Sequence, residues 1–277
     1  MKKELNRFIN SKVNFGEIDL FREFSNILSK KYITTFIEET HQQYVSFNSL
    51  NNCQIKREIS DLWIIAYSKK TKKARMTFLQ AKFEKKNRNT SIPFRFKGDY
   101  FQYELLANRP IINSKNKFNF PADILSSALS DSVGSFGIFY YDARSRINFA
   151  YSIAKYLNFN GATHCKTKTK TLYFINSRNH ETIVQINRHK ELDLLLTLEA
   201  DSFECFLVNL MIGTPIDSNK KLLIFLRHYF QNINGTNLTD FQNFLNQIID
   251  IDNIQDDQDY DLNNNSNPNI LLINIDT

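Results

Sequence analysis

Several common protein classes are excluded by what this chain has little of. Its three cysteines, Cys53, Cys165 and Cys205, lie far apart. They make neither a zinc pattern nor a disulfide framework, so a reducing cytoplasm is expected. No stretch approaches about 18 uncharged apolar residues, so no transmembrane helix and no membrane partner are expected. The opening Met1-Lys2-Lys3-Glu4-Leu5 leads into no apolar signal core, which argues against a cleaved secretion signal. The histidines (His41, His164, His180, His189, His228) are scattered, with neither HxH nor HExxH spacing. Catalytic zinc is therefore not expected. No Gly-Lys-Ser/Thr follows Gly134 and Gly137, which rejects a phosphate-binding loop of the NTPase kind. There is no GxSxG elbow, and no cysteine stands in a nucleophile context.

What remains is a chain able to fold and unusually basic over most of its length. Its 24 Phe and 12 Tyr provide apolar area for a core, with 42% hydrophobic and 23% charged residues overall. The length of 277 residues suits one large domain or two small ones. Residues 241–277 carry seven Asp and no Lys, Arg or Glu. The first 240 residues are thus seven charges more positive than the whole chain, whose net charge is +6. Such a body suits a polyanionic partner, nucleic acid first, and equally suits a lysine-rich solubilising surface.

Hydrophobic periodicity predicts an α/β (α+β) chain with a central mixed β-sheet flanked by helices and a helical C-terminal part. Leu20, Phe21, Phe24, Ile27 and Leu28 predict an amphipathic helix over 17–30. Residues 31–47 predict a second helix, or a helix running into a strand. A hairpin follows, with strands over 59–67 and 74–83 around the polar turn 68–73. Short helices are expected over 100–108, stopped before Arg109-Pro110, and over 122–129 after Pro121. Residues 135–141 read as a buried strand. Segments 171–175 and 182–186 read as a strand pair, and 201–211, 220–231 and 238–249 as helices. The Asp- and Asn-rich stretch 250–268 reads as a linker or disordered stretch, and the apolar Ile270–Ile275 as a segment that docks, as an added strand or a partner contact. The expected division is a core over 1–145 with a sheet completed by later strands, an extension over 146–249, and a terminal segment over 250–277.

The hairpin brings chemistry together. A turn centred between Lys70 and Thr71 makes cross-strand partners sum to 141, so Asp61 faces Gln80 at about 5 Å between Cβ atoms. Alternation puts Lys82 on the same face. A carboxylate, an amide and an ammonium then share one side of an apolar ribbon, which is costly unless they pair or serve a function. An Asp61–Lys82 salt bridge is one resolution. A site for a hard cation held by Asp61, the Gln80 side-chain oxygen and the Ala81 carbonyl is the other, with Lys82 acting on water or phosphate.

The run Glu58-Ile59-Ser60-Asp61-Leu62 … Phe78-Leu79-Gln80-Ala81-Lys82 resembles the PD-(D/E)xK nuclease superfamily, the restriction-endonuclease-like fold. It is similar to the D…QxK branch used by Mrr-like restriction enzymes and effector nucleases of bacterial anti-phage systems. Ser60 stands in place of the eponymous proline. The resemblance spans at most residues 30–142. It implies a Mg²⁺- or Mn²⁺-dependent endonuclease acting on DNA, with RNA still open, in restriction or anti-phage defence. It also implies control by a partner protein, and cutting of two strands would favour a homodimer. A catalytically inactive nuclease-fold subunit is the alternative. A further acid is expected from Glu58, or from Glu38 or Glu39 on a preceding helix. Lys69, Lys70, Lys72, Lys73, Lys85 and Lys86, with Gln102, are the candidate nucleic-acid contacts. Lys166, Lys168 and Lys170 form either a phosphate-binding stripe or a lysine-guarded edge. Tyr140, Tyr141, Phe149 and Tyr151 are either base-stacking or core aromatics.

Overall fold

A computed structural model of the chain describes residues 1–11, 14–38, 40, 42–85, 95–114, 119–142, 144–174, 183–186, 191–194, 198–233, 238–248 and 268–276. Two helices open it, α1 (Lys2–Ser11) and α2 (Glu17–Leu28). Five strands follow: β1 (Ile33–Ile37), β2 (Tyr44–Asn48), β3 (Gln54–Glu58), β4 (Leu62–Ser68) and β5 (Lys73–Glu84). Then come β6 (Arg95–Asp99), α3 (Tyr100–Asn108), β7 (Asn113–Ser114), β8 (Gly134–Tyr141) and β9 (Ile147–Ile153). Next are β10 (Leu157–Phe159), β11 (Thr169–Phe174), β12 (Ile183–Ile186), β13 (Glu191–Leu194) and β14 (Leu198–Glu199). The last elements are α4 (Ala200–Val208), β15 (Thr214–Pro215), α5 (Lys220–Gln231), α6 (Thr239–Ile248) and β16 (Ile270–Asn274).

The main sheet is mixed, in the order β1-β16-β4-β5-β8-β9-β14, with β15 beside β5. The pairs β16–β4 and β5–β8 are parallel, and the β4–β5 hairpin is antiparallel. Side-chain alternation sorts its residues onto two apolar faces. Trp63, Ile65, Met76, Phe78, Phe136 and Ile138 pack with apolar residues of α3, α5 and α6. Leu62, Ile64, Leu79, Phe139, Phe149 and Ile273 pack with those of α1, α2 and α4. The result is an α/β architecture in three layers, with all seven β4 residues buried. Gly134 lies against α3: a Cβ there would stand 2.5 Å from the Leu106 carbonyl oxygen.

Several elements differ from expectation. Residues 31–47 hold the strands β1 and β2, not a second helix. Their apolar residues are satisfied by sheet neighbours, a tertiary term that helical spacing does not see. Residues 122–127 form turns rather than a helix. Residues 169–174 pair with β6 and β10, and 183–186 pair with β13, so these two segments are not partners of each other. Residues 147–153 form the strand β9. The docking tail is β16, a strand inside the sheet. Cys53 and Cys165 form a disulfide across 112 residues, with Cα atoms 5.7 Å apart. This corrects the expectation of no disulfide: the β2–β3 turn and the loop before β11 meet in space, and spacing along the chain is blind to that. Among the described residues, no helix is long and apolar enough to cross a membrane.

Candidate active site

The site forms where β5 outruns its partner. The β4–β5 ladder ends at Leu62 opposite Leu79, but β5 continues to Glu84 alongside β8. On the side that β4 no longer covers, main-chain N–H groups need acceptors. Carboxylates supply them. Ala81 N–H donates to Asp61 Oδ2 at 2.7 Å, and Phe83 N–H donates to Glu17 Oε1 at 3.1 Å. Glu17 can reach because it opens α2, which packs against this end of the sheet.

The register continues the sum of 141 through Leu62–Leu79, which sets Asp61 against Gln80. Gln80 Nε2 donates to Asp61 Oδ2. Lys82 Nζ stands 3.8 Å from that same oxygen. Asp61 and Lys82 are partly open to solvent, with side chains 23% and 27% exposed. Gln80 is buried, and its Oε1 has no hydrogen-bond partner. A buried amide oxygen left unmatched costs on the order of 1–3 kcal/mol. It is the one orphaned atom in an otherwise paired cluster.

Beside this cluster lies a cleft of about 270 Å³. Glu17, Gln42, Glu58 and Asn269 line it together with Asp61, Ala81 and Lys82. Glu58 shares the cleft. It ends β3, a separate strand, and the bend at Ile59–Ser60 breaks the alternation before Asp61. Glu38 does not join: it lies just past β1, pairs with Arg22 at 3.1 Å and is 66% exposed. Glu39 and Lys86 lie outside the described residues. No three Asp, Glu, His or Cys side chains among the described residues converge as a ready metal cage. The oxygen donors present are hard ones, the carboxylates of Asp61, Glu58 and Glu17 and the orphaned Gln80 Oε1, and that donor chemistry fits Mg²⁺ or Mn²⁺.

The expected nucleic-acid contacts are dispersed. Lys69, Lys70, Lys72 and Lys73 surround the closed end of the hairpin. At about 3.4 Å per residue, the run from Lys73 to Gln80, which lies opposite Asp61, puts them roughly 24 Å or more from Asp61. The turn and the open end of a hairpin are its two most distant points, so these lysines do not flank the site. Lys69 pairs instead with Asp240 at 2.8 Å. Lys85 is near the site end of β5, its Nζ 5.3 Å from the Phe83 ring. Gln102 lies in the first turn of α3, where its main-chain N–H donates to the capping carboxylate of Asp99; it does not line the cleft. Tyr140, Phe149 and Tyr151 are buried in the core and offer no stacking surface, and Tyr141 packs on Phe83. Lys170 Nζ donates to the carbonyls of Asn160 and Ala162.

Glu17, Gln42 and Asn269 are cleft residues that sequence reasoning missed. Glu17 had a partial signal, an acid in the first turn of a readable helix. Asn269 had a fainter one, the polar residue leading into an apolar tail. Compared with protein-family models, curated proteins and solved structures, the chain matches none.

Proposed function

We propose that this chain is a metal-dependent nuclease that hydrolyses phosphodiester bonds, DNA being the first candidate substrate, at the Asp61 cleft. The observation that carries this reading is the convergence of Asp61, Gln80 and Lys82 on the overhang of β5, with the buried Gln80 Oε1 left unmatched beside a carboxylate-lined cleft. Asp61 would hold the ion, with Glu58 and Glu17 as the other carboxylates lining its cleft and the Gln80 side-chain oxygen as the D…QxK resemblance implies. Mg²⁺ or Mn²⁺, once bound, supplies Lewis acidity, neutralising charge on the phosphate and lowering the pKa of water. Lys82, within Coulomb reach of Asp61 and partly open to solvent, orients the attacking water and offsets negative charge developing on the phosphorane oxygens. Asp61 attracts the Lys82 ammonium, which stands 3.8 Å from its Oδ2. The basic body supplies non-specific backbone attraction. The D…QxK resemblance makes restriction or anti-phage defence the corresponding setting.

The test is cleavage of plasmid DNA, single-stranded DNA and RNA by wild type, Asp61→Asn and Lys82→Ala, with Mg²⁺, Mn²⁺ or EDTA. Metal-dependent cutting by wild type, lost in both folded variants, is expected. Equal cutting by wild type and Asp61→Asn would exclude the site.

One observation favours a second reading. Asp61 Oδ2 already takes donors from Gln80 and Ala81, with Lys82 close by, so that carboxylate oxygen is satisfied without an ion. A non-cutting nuclease-fold subunit that binds nucleic acid or a partner protein would look like this. It predicts salt-sensitive retention of DNA with no cleavage under any metal.

A further inference from the structure

The last described strand does not cap an edge of the sheet. β16 slots between β1 and β4, running parallel to β4, and all five of its residues are buried. Its ladder with β4 begins at Ile270 opposite Trp63. Asp61 lies before β4 begins, so β16 has no regular ladder position for it. Asn269, the residue before β16, spans the gap. Its main-chain carbonyl accepts the Trp63 N–H at 2.9 Å, and its side-chain Nδ2 donates to the Asp61 carbonyl at 3.1 Å. Asn269 is only 4% exposed, and it lines the cleft.

We propose that Asn269 is a positioning residue for Asp61, so that the C-terminal strand is a working part of the site. This inference rests on reading the cleft as a metal-dependent phosphodiester site. The geometry is a clamp on both flanks of one residue. The Asp61 N–H is held by the Leu79 carbonyl at 3.1 Å from the β5 side. The Asp61 carbonyl is held by Asn269 from the β16 side. With both of its peptide groups fixed, the Asp61 side chain is aimed at Gln80 and the Ala81 N–H. An apolar residue at 269 could still seed the strand through its main chain, since the bond to Trp63 uses only the backbone. It could not reach the Asp61 carbonyl with a donor. The side-chain amide therefore does something that strand formation alone does not require.

The control is built into the same strand. Asn274 ends β16 at the opposite end from the cleft, is equally buried, and accepts from the Asp276 N–H at 3.1 Å. A purely structural asparagine should behave like Asn274. Trp63 is the single tryptophan of the chain and stands two residues from Asp61, so it can sensitise terbium luminescence from an ion in the cleft. The experiment titrates Tb³⁺, with Mg²⁺ as competitor, into full-length wild type, Asp61→Ala, Asn269→Ala, the shape-preserving Asn269→Leu, and Asn274→Ala. Melting temperatures and Mg²⁺-dependence of DNA cleavage are recorded for each.

The expected result is that Asn269→Ala and Asn269→Leu fold, bind Tb³⁺ about 10–100-fold more weakly, and need correspondingly more Mg²⁺ for half-maximal cleavage. Asn274→Ala should lower the melting temperature by a similar amount with unchanged ion affinity. Wild-type affinity in the folded Asn269 variants overturns the positioning role and leaves the metal site standing, provided Asp61→Ala has lost the ion. The role is equally overturned if Asn274→Ala weakens ion binding as much as Asn269→Ala does. If wild type and Asp61→Ala give the same terbium signal, the metal-site reading itself fails and the role of Asn269 falls with it.

Discussion

The two ends of the β4–β5 hairpin solve the same problem with different residues. At both, main-chain N–H groups left over by the ladder are taken by carboxylates. At the closed end, Asp276 accepts from Ser68 Oγ at 2.7 Å and from the Lys70 N–H at 3.0 Å, and Asp217 accepts from the Ala74 N–H at 3.1 Å. Burial raises the Asp276 pKa, but the Ser68 hydroxyl and the Lys70 and Lys69 N–H groups outweigh it and hold the carboxyl below its ordinary range. At the open end, Asp61 and Glu17 take Ala81 and Phe83. Carboxylate capping is thus no sign of function by itself. What the open end adds is an ammonium 3.8 Å from the capping acid, a buried amide with an orphaned oxygen, and a cleft with a third acid, Glu58. Charge is also distributed differently. The lysines of the turn are numerous but peripheral, whereas Lys82 lines the cleft itself.

The strongest way to break this contrast is at Asp61. Asp61→Ala should lower cleavage by about 1,000-fold or more, on the scale of losing a group that organises transition-state charge. It should also cost about 1–3 kcal/mol of stability, because the Ala81 N–H loses its acceptor; chemical denaturation measures that. Lys82→Ala comes next, with a loss of about 100-fold in kcat. Its pair with Asp61 is partly solvated, so stability should move by no more than about 1 kcal/mol. Glu17→Gln and Glu58→Gln should each raise the Mg²⁺ concentration for half-maximal cleavage by about tenfold, with little change in rate at saturating metal. At the other end, replacing Lys69, Lys70, Lys72 and Lys73 together by Ala should change cleavage by less than about threefold, since charges roughly 24 Å or more away at the surface are screened. A loss as large as that of Lys82→Ala would mean that the two ends act as one surface.

The smallest effect is in acid and lies on the β8–β9 turn. Burial raises the Asp142 pKa, but bonds from the Arg146 main chain and guanidinium and from the Arg144 N–H overcome it, bringing the carboxyl from 3.8 down to about 2. Its folded pKa lies below its unfolded one, so its stabilisation is present above about pH 4 and is lost as pH falls toward 2. Asp142→Asn should flatten that part of the stability–pH curve while leaving cleavage at neutral pH unchanged.

The hairpin was legible because its signals agree. Trp63-Ile64-Ile65 and Thr77-Phe78-Leu79 are β-formers on either side of one polar turn, and a symmetric turn determines the register. The helices α3, α5 and α6 were legible from local periodicity, with α5 matching its expected range, Lys220–Gln231. The segment 31–47 was not, since Ile33, Phe36 and Ile37 suit a helix as well as a strand until β16 lies beside them. For the same reason half of the cleft was invisible. Asn269 reaches Asp61 from 208 residues away, and Glu17 reaches Phe83 from 66 residues away. Cys53 and Cys165 meet only because two surface turns converge. Sequence patterns report a residue's own neighbourhood, whereas this site is made by strand order.

The most direct measurement is anomalous diffraction from crystals of wild type and Asp61→Ala soaked in Mn²⁺. A manganese peak in the cleft of wild type, contacting Asp61 and absent from Asp61→Ala, is the result expected. Crystals of wild type with no peak between Asp61, Gln80 and Glu58 at saturating Mn²⁺, or with the same peak after Asp61 is removed, would contradict the assignment of this cleft as a metal-dependent catalytic centre.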